Sequence, residues 1–308
     1  MRLKATTGRS GVVKICLGHL LPFIVFGWLS GSALAQPAVT VGVSILPERY
    51  FVERIAGNYA NVIVLVGPGY SPATYEPKPR QLSQLQRARL FFLIGVPFEA
   101  RWTETFSSIN PAMRLISLSR DIELMPLAIV HGSPGRNMAD DHHAHDGALD
   151  PHVWLSPPLV KQMALIIKTE LVALDSGHRD VYDANYRQFI TELDELDQWI
   201  REQLATVRQR RFLVFHPSWS YYAREYGLQQ VSIEHQGKQP AAKSLNNVIE
   251  IAKQQQIKVI FVQRQFSQRD AKTIARQIDA QVVQVDPLAE NYFENLRYVT
   301  QRFVEALQ

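Results

Sequence analysis

Two histidine-proline pairs are the residues of this chain best suited to chemistry. His152 follows Asp150-Pro151 just before a long amphipathic segment, and His216 stands before Pro217 directly after an apolar run. Neutral histidine is the commonest metal ligand in proteins, so two such elements in different halves of the chain predict one metal site between two lobes. Each imidazole taken alone is explained equally well by packing or by a satisfied hydrogen bond.

A carboxylate extends this pattern. Asp286 directly follows the apolar run 282–285 and precedes Pro287. In open α/β sheets, ligands bind beyond the carboxyl ends of the strands, and His152, His216 and Asp286 are all predicted at or just beyond such ends. For Asp286 alone, a turn or cap formed by Asp-Pro is the simpler interpretation.

The elements that must position these residues are strands alternating with helices. Short apolar runs bounded by Gly, Pro or Asp predict strands, and segments with apolar residues three and four positions apart predict helices. The predicted strands are 39–45, 62–66, 90–94, 115–118, 211–215, 231–233, 259–262 and 282–285. Their alternation with helices predicts an α/β fold with mainly parallel sheets flanked by helices.

The predicted organisation is two α/β lobes joined by a helical segment. Residues 36–156 form the first lobe, residues 157–208 are helical with a break at 175–178, and residues 209–308 form the second lobe. Apolar residues recur at three- and four-residue steps through the helical segment, which predicts one long, rigid helix that bridges the lobes.

Residues 1–35 predict a cleaved secretory signal peptide. Basic residues open the segment, an apolar run extends from Ile15 to Trp28, and Ala33-Leu34-Ala35 forms a small-x-small cleavage site. A membrane anchor is the weaker interpretation, because Gly18, His19 and Pro22 interrupt the apolar run.

Charge and cysteine content change when this segment is removed. The whole chain has 33 Lys and Arg against 29 Asp and Glu, and the first 35 residues hold four basic residues and no acidic one, so the remainder is formally neutral. Bulk charge therefore gives no reason to expect a nucleic-acid partner. Cys16, the only cysteine, lies in the same segment, so neither a disulfide nor a thiolate ligand is expected in the mature chain.

Residues 131–149 interrupt the strand-helix pattern with a polar loop of low complexity. The loop contains His131, His142, His143 and His145 among three Asp and three Gly residues. A His/Asp cluster in an exported chain indicates weak metal capture. The alternative is a solvated insertion without a function of its own.

The order of several motifs resembles one family, the periplasmic solute-binding proteins of cluster A-I, which deliver zinc or manganese to ABC importers. The resemblance covers essentially the whole mature chain. Its motifs are GPGYSP at 67–72, YEP at 75–77, DPHVW at 150–154, FHP at 215–217, YGL at 226–228, FV at 261–262, QFS at 265–267 and VDPL at 285–288. The resemblance implies a monomeric periplasmic protein of two lobes bridged by a rigid helix, with an inner-membrane permease as its partner.

The resemblance also implies four metal ligands, of which three carry over as His152, His216 and Asp286. The fourth does not, because the family's Ser-Pro-His is Ser71-Pro72-Ala73 here and alanine cannot bind a metal. A second departure is Gln263-Arg264, where many members carry Glu-Pro. Three interpretations stay open: water or an anion completes the site, another side chain substitutes, or the site takes a different ligand. The candidate substitutes are Tyr75, Glu76, Glu234, His142, His143 and His145.

The ligand types indicate the metal and the class of protein. Imidazoles suit zinc, whereas oxygen-rich sites suit manganese and magnesium, so His152 and His216 indicate zinc. One alternative is the same fold binding manganese, copper, nickel or a metal chelate. Another is a zinc chaperone or an adhesin-type interaction protein without transport. An open coordination position is also typical of catalytic zinc, but no general-base motif such as H-E-x-x-H occurs, so we expect a binding protein and not an enzyme.

Overall fold

The computed structural model describes residues 39–127, 148–234, 242–266 and 268–308. The predicted signal peptide and the histidines of the 131–149 loop lie outside these described residues. The described residues form two lobes, each with a four-stranded parallel sheet flanked by helices. The predicted fold class is therefore confirmed.

The first lobe is built around a buried central strand. Its parallel sheet has the order β2-β1-β3-β4, with β1 at Val39–Ile45, β2 at Ala60–Val66, β3 at Leu90–Leu93 and β4 at Arg114–Ser117. Its helices are α1 (Leu46–Ala56), α2 (Pro79–Leu85) and α3 (Pro97–Ile109). Each of these helices has proline in its first turn, where the missing N–H costs nothing. Val41, Val43 and Ile45 of β1 are fully buried, as expected for a parallel strand covered on both faces.

The second lobe repeats the same strand arrangement without a visible sequence repeat. Its parallel sheet has the order β6-β5-β7-β8, with β5 at Arg211–Val214, β6 at Gln229–Ser232, β7 at Val259–Val262 and β8 at Gln281–Gln284. Its helices are α6 (Ser220–Glu225), α7 (Ala242–Gln254), α8 (Gln268–Ile278) and α9 (Tyr292–Leu307). In both lobes the first strand in the chain lies between the second and the third.

Two long helices lie between the lobes in the chain. Helix α4 (Pro157–Leu174) ends before a short turn, and α5 (Arg179–Ala205) continues for 27 residues, about 40 Å at the usual helical rise. Helix α5 packs against α1 and α4 and also against α9 of the second lobe, so it bridges the lobes as the sequence predicted. Neither α5 nor any other described helix combines the length and the apolar character needed to span a membrane.

The lobes share one hydrophobic core along this bridging helix. Phe51 of α1 contacts Tyr292 of α9 edge to face, with ring centroids 5.0 Å apart, and Phe189 of α5 packs against both Phe51 and Phe293. Residues of both sheets belong to the same buried cluster. Because a packed core resists shearing, the lobes form one compact body. The predicted lobe boundaries at 156 and 208 stay predictions.

Helix α3 is the one α-helix of the described residues that the sequence did not predict. Its buried side chains include Phe98, Phe106 and the carboxylate of Glu99, so its buried face is not a simple apolar stripe. Other element ends differ from the predicted ones by one or two residues, which is the usual uncertainty at fraying ends.

Glu99 belongs to a buried pair of carboxyl groups at the carboxyl end of the first sheet. Glu99 accepts hydrogen bonds from Ser44 Oγ (2.5 Å), Ile94 N (3.0 Å) and Gly95 N (2.8 Å). Glu48 is fully buried and accepts from Ser44 N and Ile45 N, both at 3.0 Å. Burial raises the pKa of Glu99 to about 7. Burial and then the nearby Glu99 raise the pKa of Glu48 well above its ordinary value.

These two buried carboxyl groups predict that the free energy of unfolding falls as the pH rises toward neutrality. The folded protein holds the Glu99 proton more tightly than the unfolded chain, so this contribution is complete below the unfolded pKa and is lost as the pH rises through about 7. The full loss amounts to ~3 kcal/mol of unfolding free energy. Glu99→Gln should be less stable than the unmodified protein at pH 5, because an amide cannot accept all three hydrogen bonds, but it should not show this loss.

Urea unfolding between pH 5 and pH 8 measures the difference between the two proteins, in which contributions from other groups cancel. Glu48→Gln is the companion variant. Because the pKa of Glu48 is also raised in the folded protein, by burial and then by Glu99, this variant should likewise lose part of the fall in stability with pH. Parallel stability profiles for Glu99→Gln and the unmodified protein would contradict the assignment.

Candidate metal centre

A buried carboxylate in the segment before α4 holds His152 in position. Asp150 is fully buried, and its Oδ1 accepts from the backbone N of His152 (2.9 Å) and lies 2.6 Å from His152 Nδ1. A carboxylate only accepts, so Nδ1 carries the hydrogen and the neutral ring keeps Nε2 as its free lone pair. This is the arrangement by which proteins orient a metal-binding imidazole. Burial lowers the pKa of His152, against the opposing effect of Asp150, so the ring is neutral at pH 7.

His216 is held in a similar way in the second lobe. It follows β5, and its ring stacks on Phe266 with centroids 5.2 Å apart. Its Nδ1 lies 3.2 Å from Oε2 of Glu234, a buried side chain just beyond β6. A carboxylate therefore stands behind each of the two imidazoles, and both rings have Nε2 available for a metal.

The two imidazoles meet in one cavity between the lobes. Their ring centroids are 5.3 Å apart, with the rings inclined at 71°. The cavity holds about 300 Å³, and its other lining residues include Ser71, Pro72, Ala73, Gly95, Val96, Trp154, Gln263, Gln265, Phe266, Pro287 and Leu288. The strands β3, β5 and β7 all end at this cavity, as expected for a ligand site in open α/β sheets.

Asp286 lies in a neighbouring cavity. Its Oδ1 accepts from Leu288 N (2.9 Å), and its carbonyl accepts from Asn295 Nδ2 (2.7 Å). The side chain therefore caps a turn, which was the alternative interpretation from the sequence. Arg264 and Asn295 share this second cavity of about 330 Å³ with it. Among the described residues no group of three or more His, Cys, Asp or Glu side chains is arranged to hold a metal, so a ligand role for Asp286 stays a prediction.

The candidate substitutes for the missing histidine have different surroundings. Tyr75 is buried and its hydroxyl donates to Gln81 Oε1 (2.7 Å), while Glu76 is exposed. Glu234 lies behind His216. His142, His143 and His145 lie outside the described residues. Ala73 lines the cavity, at the place where the resemblance implies a histidine.

Two aromatic side chains form hydrogen bonds that connect the segment around His152 with the second lobe. The hydroxyl of Tyr221 donates to Asp150 O (2.8 Å) and accepts from Met125 N (2.9 Å). The indole of Trp154 donates to Pro287 O (2.8 Å). Sequence patterns did not assign these hydrogen bonds, since an aromatic residue after a histidine motif is most simply interpreted as ordinary core.

These features are those of two-lobed solute-binding proteins with a cavity between the lobes. The family model described as "ZnuA: Zinc-uptake complex component A periplasmic" matches residues 41–306. The chain belongs to this family.

Solved structures and curated proteins resemble the chain over most of its length. A ZnuA deletion mutant with zinc bound is 40% identical, with a TM-score of 0.78 and 88% of this chain and 98% of that chain covered. The high-affinity zinc uptake system protein ZnuA of Bacillus subtilis is 29% identical over 78% of this chain and 75% of its own length.

The zinc-binding lipoprotein AdcA of Streptococcus pneumoniae is 26% identical over 84% of this chain. The chain spans about half the length of this relative, with 52% of AdcA covered.

Asp150→Asn should weaken metal binding by about 10- to 100-fold, which is the usual effect of removing a group that orients a metal-binding histidine. The neutral amide supports the metal-bound imidazole less than a carboxylate does, although its oxygen still accepts from the backbone N of His152. Competition against a fluorescent zinc chelator measures the change. Asp175→Asn is the matched control. Asp175 Oδ2 lies 2.7 Å from Nδ1 of His178, which makes the same kind of carboxylate–histidine contact, but this pair does not line the cavity. Equal affinities for the two variants would contradict this role of Asp150.

Proposed function

We propose that this protein captures a divalent metal ion, zinc, between its two lobes and delivers it to an ABC importer. The observation that supports the proposal best is the pair of imidazoles, His152 and His216, each with a carboxylate behind Nδ1 and both facing one cavity between the lobes. Zinc is bound by neutral imidazole nitrogen at about 2.0–2.1 Å. Membership of the zinc-uptake family supports the same conclusion.

The ligand types favour zinc over manganese. Manganese and magnesium prefer carboxylate, carbonyl and water oxygens, whereas the side chains that converge on this cavity are imidazoles, with their carboxylates set behind them. Copper and nickel bind imidazole at least as strongly in water, so the metal supplied in the compartment decides between these ions and zinc.

Export and delivery complete the proposal. The signal-like segment 1–35 directs the chain to the periplasm and is cleaved there, and the mature protein acts as a monomer that binds metal without catalysis. The partner is the membrane permease of an ABC importer. The core shared by both lobes and the bonds of Tyr221 and Trp154 favour release through small local movements.

Calorimetric titration of the metal-free mature protein with zinc tests this function. We expect one tight zinc site that is lost in both His152→Ala and His216→Ala. The fall in zinc affinity in each variant should exceed the change of about 10- to 100-fold that results from removing a group that orients a ligand. Affinity should also decline as the solution is acidified through the histidine range, because zinc binds neutral imidazole. His178→Ala, which removes a histidine far from the cavity, is the control and should bind like the unmodified protein.

Weak binding at several sites, unchanged by either substitution, would contradict the proposal. It would assign zinc binding to the histidine-rich loop instead of the cavity.

A further inference from the structure

We propose that the cavity between the lobes binds zinc together with a small molecule, which brings a neutral, imidazole-type nitrogen to the metal. The proposal rests on the proposed function, in which His152 and His216 are zinc ligands. Zinc in proteins takes four ligands in structural sites, and in catalytic sites it takes three from the protein and one small molecule. Even with Asp286 as a third protein ligand, one position on the metal would be available to such a molecule.

The candidate side chains that the structure describes do not supply the fourth donor. The hydroxyl of Tyr75 is buried and donates to Gln81 Oε1 (2.7 Å), while Glu76 is exposed. Glu234 Oε2 lies 3.2 Å from Nδ1 of His216. This carboxylate therefore supports an imidazole from behind and does not replace one.

One wall of the cavity is a fixed turn that carries only a methyl group. Ala73 N donates to Ser71 Oγ (3.3 Å), and Ala73 O accepts from Arg101 Nη2 (3.4 Å). Pro72 O accepts from the backbone N of Phe98 in α3 (3.3 Å). Because these bonds hold the backbone of the turn in place, position 73 presents a methyl group at the cavity wall and no metal donor.

The cavity is larger than a metal ion requires, and its walls are mostly apolar. Its volume is about 300 Å³, which lies at the lower end of the range of about 300–1,000 Å³ for cavities that bind small organic molecules. Pro72, Val96, Trp154, Phe266 and Leu288 are among its lining residues, and none of the described residues that line it is Asp, Glu, Lys or Arg. Such walls favour a compact, uncharged ligand, because a charge without a partner is costly to bury.

The charges around the metal also favour a neutral donor over an anion. The carboxylates of Asp150 and Glu234 stand behind the two imidazoles, and their two negative charges balance the charge of one zinc ion. A bound anion would add an uncompensated negative charge between apolar walls. Imidazole nitrogen is neutral and is a good ligand for zinc. A heteroaromatic nitrogen donor therefore fits this cavity better than a small carboxylate does.

Zinc affinity measured with and without added imidazole tests this proposal. At pH 8 imidazole is mostly neutral, and it should raise the affinity of the mature protein for free zinc by about 5- to 150-fold, the usual range for two coupled ligands. Competition against a fluorescent zinc chelator gives this affinity, with the zinc bound by imidazole in solution taken into account. Because coupling is reciprocal, zinc-loaded protein should bind imidazole more tightly than metal-free protein by the same factor.

Ala73→His supplies an imidazole from the cavity wall itself. This variant should bind zinc more tightly than the unmodified protein, and added imidazole should no longer raise its zinc affinity. Ala112→His is the matched control, because Ala112 is exposed and lies outside the residues that line the cavity. It should keep the zinc affinity and the imidazole effect of the unmodified protein. An imidazole effect of full size in Ala73→His would overturn the proposal.

Three further results would also overturn it. The first is a zinc affinity that imidazole leaves unchanged, and the second is an equal or larger effect of acetate, which is an anionic donor of similar size. The third is an imidazole effect that appears only after His142, His143 and His145 are all changed to alanine, since it would assign the fourth donor to that loop. If Ala73→His does not fold, equal binding of imidazole to zinc-loaded and metal-free unmodified protein would overturn the proposal without any variant.

The proposed function is tested separately by the same titrations without imidazole. Loss of zinc binding in His152→Ala and His216→Ala would support that function even where imidazole has no effect. Unchanged zinc binding in both variants would refute the proposed function, and with it the present proposal.

Discussion

The buried carboxylate of Asp150 is the constraint on which the arrangement of the cavity depends. A carboxylate without solvent must be hydrogen-bonded, because an unpaired buried charge is far too costly to keep. Here Oδ1 accepts from the backbone N and the ring of His152, while Oδ2 is buried with no hydrogen-bond partner among the described residues. One electrostatic requirement therefore fixes the segment, the tautomer of the ring and the direction of its free nitrogen.

Surrounding elements hold that carboxylate in place. Met125 O accepts from Asp150 N (2.8 Å), and Tyr221, from a helix of the second lobe, binds the Asp150 carbonyl. The indole of Trp154 reaches the loop after β8. The bonds of Tyr221 and Trp154 cross the lobe boundary, so the position of the first imidazole depends on both lobes. Together with the core shared along α5, they favour a preformed site that changes little when the ion enters.

Sequence patterns predicted much of this fold because the relevant signals are local. Strands such as 259–262 are continuous apolar runs between polar turns, and the helical steps through 157–205 are regular. Helix α3 was missed because one of its buried side chains is Glu99, whose burial depends on the contacts of Ser44 and the loop after β3. A charged residue does not indicate a buried face until those distant partners are known.

Only part of the candidate site could be predicted, because some of its residues are marked by local sequence signals and others are not. His152 and His216 stand at strand ends with distinctive neighbours, so their types and spacing suggested convergence. The placement of Asp286 depends on the path of the backbone around Pro287, and there its side chain caps a turn. Gln263 stood out in the sequence only as a departure from the family's Glu-Pro, and its hydrogen bond to His216 depends on how the loops after β5 and β7 meet.

The central claim is that His152 and His216 bind one zinc ion between the lobes. Diffraction from a crystal of the zinc-loaded mature protein, recorded on both sides of the zinc absorption edge, tests it most directly. The account predicts a single strong anomalous peak between the two rings, at about 2.0–2.1 Å from each Nε2. A zinc-loaded crystal with its peaks elsewhere, and none between these two imidazoles, would contradict it.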